Sequence, residues 1–140
     1  MKLDKYFTDT KGTGVFASAS REGEINTAIF SRPHIAADGT MIFIMGDNRT
    51  HANLQTNPQA SFLFMEAGPG YRGSRFSLTK IAEEENDDLV RELCRRCKEA
   101  DNADSIRKRY VVYFHINKQL PLIGPGEEER FSPLADPAAL

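Results

Sequence analysis

The fold turns on residues 46–58, Gly46-Asp47-Asn48-Arg49-Thr50-His51-Ala52-Asn53-Leu54-Gln55-Thr56-Asn57-Pro58. The residues before them, Met41-Ile42-Phe43-Ile44-Met45, are apolar and read as a strand, and the residues after the glycine read as a short helix that Pro58 stops. The first turn of that helix carries Arg49 and His51, although a helix N-terminus is positively polarised and favours Asp or Glu. A bound anion removes the conflict. Helix N-termini leave backbone N–H groups without partners, and a strand–glycine–loop–helix passage aims them at one point above the sheet end, where phosphate can bind. Asn48 or Thr50 is placed to cap the helix and donate to the same anion, and Thr50 with Asn53 three residues on forms a weak capping box. A cation in the wrong turn costs about 0.3–1 kcal/mol, against roughly 1.5–3 kcal/mol for one charge-assisted hydrogen bond to phosphate. The competing reading is a surface pair of Asp47 with Arg49, worth about 0–1 kcal/mol.

Outward from this segment, the chain reads as short strands with turn signals between them. A short helix is expected over Asp4–Thr10, a strand over Val15–Ser20, and a long strand over Ile25–Ile35 interrupted by Pro33, which cannot donate to a ladder. Asp38-Gly39 is the strongest hairpin signal and is expected to lay Ile25–Ile35 beside Thr40–Met45. Alternation places Asn26, Ala28, Phe30 and Arg32 on one face of the 25–35 strand and Thr27, Ile29 and Ser31 on the other, and the hairpin pairing is expected to bring Ser31 and Arg32 near the anion loop. The competing reading for Arg32 is a solvated side chain beside an edge proline. Further strands are expected over Ala60–Glu66, Ser74–Ala82 and Val111–Ile116, with a helix over residues 86–100 whose apolar face is Leu89, Val90, Leu93, Cys94 and Cys97. The expected class is α+β, mainly β: a six-stranded small barrel with flanking helices.

The 140 residues carry 18 basic and 20 acidic side chains, a balance that gives no reason to expect nucleic acid or an anionic membrane as partner. No apolar run approaches the ~20 residues of a membrane span, and the first residues lack a signal peptide's apolar stretch. Two cysteines, Cys94 and Cys97, do not make a disulfide framework, so the expected setting is cytoplasmic. They sit mid-helix on the apolar face without a second pair, which reads as structural rather than as a redox or zinc motif. His34, His51 and His115 form no ligand motif. Arg107-Lys108-Arg109 reads as a helix end and Glu83-Glu84-Glu85 as solvated surface. One domain is expected over residues 1–123, with a tail over 124–140 that is mobile or docked on a partner subunit.

Ile25-Asn26-Thr27-Ala28 and then Arg49-Thr50-x-x-Asn53-Leu54-x-x-Asn57-Pro58, with Gly68-Pro69-Gly70 ahead of a strand, resemble the FMN-binding split barrels related to pyridoxamine 5′-phosphate oxidase, in particular their small bacterial flavoredoxin-like members. The resemblance spans residues 5–123. It implies a homodimer with FMN at the subunit interface, Asn26, Thr27 and Ala28 against the isoalloxazine ring, Asn48, Arg49 and Thr50 on the phosphate, and Asn53 supporting the loop. Ser31 and Arg32 match positions that also face the flavin, and Tyr71-Arg72 matches a segment that approaches it from the partner chain. It implies no catalytic side chain and no metal: the flavin carries the electrons, from a nicotinamide or a protein donor. The reading is an FMN-dependent oxidoreductase, with a non-catalytic FMN binder or electron carrier as the alternative and a deazaflavin as the alternative cofactor. This chain lacks the Arg-x-Val-x-Leu-Lys strand motif and the C-terminal Arg-rich motif of the vitamin B6 oxidase, and its tail is acidic at Glu127-Glu128-Glu129, unlike that of the heme-handling relatives.

Overall fold

A computed structural model describes residues 2–93 and 108–125. Its elements in chain order are α1 (Leu3–Asp9), β1 (Gly12–Ala19), β2 (Ile25–Phe30), β3 (His34–Ile35), β4 (Met41–Gly46), α2 (Arg49–Thr56), β5 (Gln59–Glu66), β6 (Gly73–Glu84), α3 (Asp87–Leu93) and β7 (Arg109–Pro121). The seven strands form one sheet in the order β2-β1-β5-β6-β7-β4-β3, and every neighbouring pair is antiparallel.

Two expectations are corrected here. The barrel has seven strands rather than six, because the expected strand over 25–35 is two strands. Pro33 lies in the break. Nor does the Asp38-Gly39 turn lay the whole of 25–35 on β4. Only His34 and Ile35 pair there, opposite Ile42 and Met41, while β2 pairs with β1, for example Phe16 opposite Ala28. The turn itself is as expected: the N–H of Ala36 donates to the Thr40 carbonyl at 2.9 Å, Asp38 Oδ1 accepts from the N–H of Thr40 at 3.0 Å, and Gly39 sits at φ 92°, which only glycine adopts freely.

The break explains the shape. β2 and β3 occupy opposite edges of the sheet, yet only residues 31–33 separate them in the chain. Four steps of chain reach at most about 14 Å, so the sheet must curl until its two edges nearly meet. Phenylalanine fills the enclosed space. Eight of the nine phenylalanines are buried, and the ninth, Phe131, lies outside the described residues with Leu134, Cys94, Cys97, Arg107 and most of the tail. Phe16 on β1 meets Phe43 on β4 edge to face at 5.1 Å, and Phe30 on β2 meets Phe43 at 5.8 Å, so the rings join the two edges across the split. Among the described residues no helix is long and apolar enough to cross a membrane.

Arg109, expected at a helix end, opens β7 instead. Val111, Val112 and Phe114 are fully buried, and the strand runs beyond the six residues expected because residues 109–110 pair with β4 and residues 118–121 with β6. Glycine permits a close contact inside the barrel. A Cβ on Gly14 would lie 2.6 Å from the Phe62 ring and 2.9 Å from the Phe30 carbonyl oxygen. Gly14→Val therefore forces β1 off both neighbours and is expected to destabilise the protein by about 1–3 kcal/mol, read from the urea midpoint.

Candidate functional site

α2 follows β4 through Asp47 and Asn48, and its local chemistry is that of a helix built to leave donors open. Asn48 is the N-cap, its side chain accepting from the N–H of His51 at 3.0 Å. The next donors back, the N–H groups of Arg49 and Thr50, stay open, as the start of a helix leaves them. No acidic residue occupies the first turn. The Arg49 guanidinium has no hydrogen bond or ion pair among the described residues; the competing Asp47–Arg49 pair does not form, and the Asp47 carboxylate lies instead 3.9 Å from His51 Nδ1. Arg49 lines an open cavity of about 420 Å³ with Glu24, Ile25, Asn26 and Asn53. That volume falls in the range of roughly 300–1,000 Å³ typical of small-molecule sites.

Buried polar contacts fix α2 against the sheet. Asn53 Nδ2 donates to Ser18 Oγ on β1 at 3.1 Å, and Asn26 Nδ2 on β2 points to Thr50 Oγ1 at 3.4 Å. Ser18, Thr50, His51 and Asn53 are all buried. β2 is an edge of the sheet, so one side of its backbone is unpaired beside the cavity. Along it, Asn26 and Ala28 turn toward the core, while Ile25, Thr27 and Ile29 face outward and are exposed. Asn26, Asn48, Arg49, Thr50 and Asn53 thus come together as the sequence suggested, while Thr27 and Ala28 follow Asn26 along β2 and do not line the cavity.

Arg32 is placed elsewhere. Its guanidinium donates to the carbonyls of Phe7 and Thr10, each at 2.9 Å, and of Thr8 at 3.3 Å. These are the last carbonyls of α1, a helix with no basic residue in its own last turn. Arg32 supplies the missing cation from the link between β2 and β3. Ser31, half-buried, begins that link. The expected pairing of the 25–35 strand with β4 would have brought both residues to the anion loop, and that pairing is absent before His34.

His51 faces away from the cavity. Its ring stacks on Tyr110 of β7 with centroids 3.7 Å apart and planes at 9°, and its Nε2 lies 3.0 Å from Glu83 Oε2 on β6. Lys80 Nζ reaches the other carboxylate oxygen at 2.7 Å, and Gln55 Nε2 reaches it at 3.1 Å. Glu83 is therefore not the solvated residue expected from Glu83-Glu84-Glu85. Strict alternation would put Lys80 and Glu83 on opposite faces. The register of β6 on β7 shifts at Ile81, which is skipped in the pairing, and this bulge brings the two onto one side. Glu84 is engaged as well, accepting from the Tyr113 hydroxyl, whose pKa burial and this bond push up to about 12. Glu85 lies 3.9 Å from Lys108.

Comparison with solved structures agrees on the architecture. No family model and no curated protein matches the chain, but solved structures do. An FMN-binding protein from Syntrophomonas wolfei subsp. wolfei superposes with a TM-score of 0.69 at 21% identity, over 88% of this chain and 85% of that one. The fold is that of the pyridoxamine 5′-phosphate oxidase-like split barrels. An F420 reductase superposes on this split barrel with a TM-score of 0.63 at 10% identity, over 85% of this chain and 97% of that one. A protein from Lactobacillus delbrueckii proposed to be a pyridoxamine 5′-phosphate oxidase gives 0.60 at 9% identity, over 86% and 92%.

Burial alone would raise the Glu83 carboxyl, but hydrogen bonds from Lys80, His51 and Gln55 outweigh it and hold the group near about 2, below its ordinary 4.5. A carboxyl lowered on folding stabilises fully above its unfolded pKa and loses that contribution as pH falls through its folded one. Glu83 should therefore contribute about 1–3 kcal/mol at neutral pH, allowing for its partial exposure. That contribution fades between pH 4.5 and about 2. Urea unfolding of wild type and Glu83→Gln should differ most at neutral pH and converge towards pH 2.

Proposed function

We propose that this split barrel binds FMN, with the phosphate on the first turn of α2. The observation that carries the reading is the Arg49 guanidinium, without a partner among the described residues, at a helix start with open N–H donors and beside a polar cavity. The donor set suits a dianion: one permanent cation, two backbone N–H groups and no carboxylate in the turn. Glu24, on the cavity wall, suits hydroxyl groups such as those of a ribityl chain, since a carboxylate accepts hydrogen bonds from them. The unpaired backbone of Asn26, Thr27 and Ala28 suits the ring edge, which offers both donors and acceptors. Arg32 and Ser31 have no part in this reading, because the carbonyls of α1 occupy Arg32.

When bound, the flavin supplies hydride or single-electron chemistry; the protein positions it and excludes competing reactions. We read the chain as an oxidoreductase whose flavin takes electrons from a nicotinamide or a protein donor. The runner-up, a non-catalytic carrier, differs only in lacking turnover with NADH or NADPH and an acceptor. FMN is favoured over a deazaflavin by the similarity to the Syntrophomonas protein, which is itself described as FMN-binding.

The outer face of the sheet supports a homodimer. Ile29 on β2 lies opposite Val15 on β1, and Val15 opposite Leu63 on β5, a continuous apolar row across three strands. Ile29 is 63% exposed and Ile25, at the cavity rim, 77%. A second copy packed on this row would bury it and wall the open side of the cavity.

The purified protein should be yellow and release FMN on denaturation; a colourless protein that also fails to take up added FMN ends the flavin reading. Arg49→Ala should weaken FMN by about ten- to a hundredfold while leaving riboflavin, which lacks the phosphate, nearly unchanged, as titrated by flavin fluorescence. Ile29→Lys should lower the sedimenting mass to that of one chain and weaken flavin binding with it; an unchanged mass would place the dimer contact elsewhere.

A further inference from the structure

His51 is the second cation-capable residue of the first turn, and the phosphate reading gives it no contact. Two residues along a helix correspond to about 200° of rotation, so Arg49 and His51 project from opposite sides of α2. Arg49 is exposed at the cavity and His51 is buried against the sheet. The structure encloses the His51 ring on every side. Tyr110 of β7 stacks on its face at 3.7 Å, and Nε2 meets both oxygens of Glu83 on β6 at 3.0 and 3.1 Å. Gln55, one turn on in α2, lies 3.1 Å from Nε2. Asp47, ahead of the helix, lies 3.9 Å from Nδ1. Lys80 pairs with Glu83 at 2.7 Å, so the charge of that carboxylate is already balanced.

α2 has eight residues, about two turns, and helices of that length do not hold themselves in water. Its orientation depends on anchors. Leu54 provides burial without direction, and Asn53 a bond to β1 later in the helix. At the first turn, the ring of His51 is bonded to β6 and stacked on β7, while its own N–H is held by the Asn48 cap. We propose that His51 is a positioning residue for the phosphate: clamped between Tyr110 and Glu83, it fixes the roll of the first turn of α2 so that Arg49 and the open N–H groups face the cavity. This rests on the phosphate reading of the site. The clamp suits the task because a stacked ring with one directional hydrogen bond sets rotation as well as depth, which an aliphatic side chain cannot do. Because Lys80 neutralises Glu83, the clamp achieves this without placing an uncompensated negative charge behind an anion site.

The test compares wild type, His51→Ala, His51→Gln, His51→Leu and Glu83→Gln for affinity to FMN and to riboflavin, with thermal melts alongside and with inorganic phosphate titrated against the amide signals of Arg49 and Thr50. His51→Ala should lose FMN affinity by about tenfold, the loss typical when a hydrogen bond supporting a liganding group is removed, and riboflavin affinity by less than about twofold. His51→Gln, whose amide can still donate to Glu83, should recover part of that loss; a purely space-filling role predicts no recovery beyond that of a similarly sized Leu. Glu83→Gln keeps the ring stacked and should show a smaller loss of the same selectivity, so it decides the matter if His51→Ala does not fold. Equal losses for both flavins, or unchanged FMN binding in the folded variants, overturn the proposal. Should the wild type bind no flavin, the flavin reading fails and the phosphate titration decides alone. A wild-type response at the Arg49 and Thr50 amides that His51→Ala or Glu83→Gln diminishes supports the clamp, and no wild-type response, or one left intact by both, overturns it.

Discussion

The contact between Phe16 and Phe43 holds this barrel in its shape. The two rings come from β1 and β4, strands that are not neighbours in the sheet, and they touch through the interior. Phe62 meets Phe43 at 4.8 Å and Phe114 meets Phe16 at 5.5 Å, so one aromatic cluster serves both halves. Each such ring contributes its buried area and an edge-to-face term of about 0.5–1.5 kcal/mol. Because the cluster draws the sheet closed, the end of β4 and the start of β2 lie close enough for α2 to rest across both. The candidate site is a consequence of that closure.

The polar groups of α2 divide into those that fasten and those left open. Asn53, Thr50 and His51 are buried and bonded to β1, β2 and β6. None is an ordinary core residue, and each unmet polar atom there would cost about 1–3 kcal/mol, which makes the seating of the helix specific as well as stable. Arg49 remains, with the open N–H groups of Arg49 and Thr50. The arrangement answers the apparent misplacement of charge at the start of the helix: one of the two residues faces the cavity as a cation, and the other turns inward as a hydrogen-bonding ring.

Much of this was legible from the chain alone. The mainly-β class, the helix after β4 and its termination before Pro58 followed from periodicity and proline chemistry, and the gathering of Asn26, Arg49, Thr50 and Asn53 followed from the motif. Three features were not legible. Pro33 marked an interruption, but periodicity could not show that the chain leaves one edge of the sheet there and returns at the other. The expected hairpin would carry Arg32 to the anion loop, whereas the carbonyls of α1 that it satisfies belong to a segment remote in sequence. Glu83 looked solvated because a charge run has no inward face by pattern. The bulge at Ile81 that turns it inward leaves no mark in a single sequence, since any residue type can occupy the skipped position. Cys94, Cys97 and the tail from Gly126 lie outside the described residues.

β2 has a further meaning for the newly made chain. Ile25-Asn26-Thr27-Ala28-Ile29-Phe30 is an uncharged, strand-forming segment at a free sheet edge, the kind of sequence that pairs indiscriminately with other chains. It is bracketed by Glu22 and Glu24 on one side and by Arg32-Pro33 on the other. Charge and proline at the two ends act as gatekeepers, limiting how far a misplaced ladder can propagate. The acidic turn before the strand and the proline after it thus guard the newly made polypeptide against coaggregation at this edge.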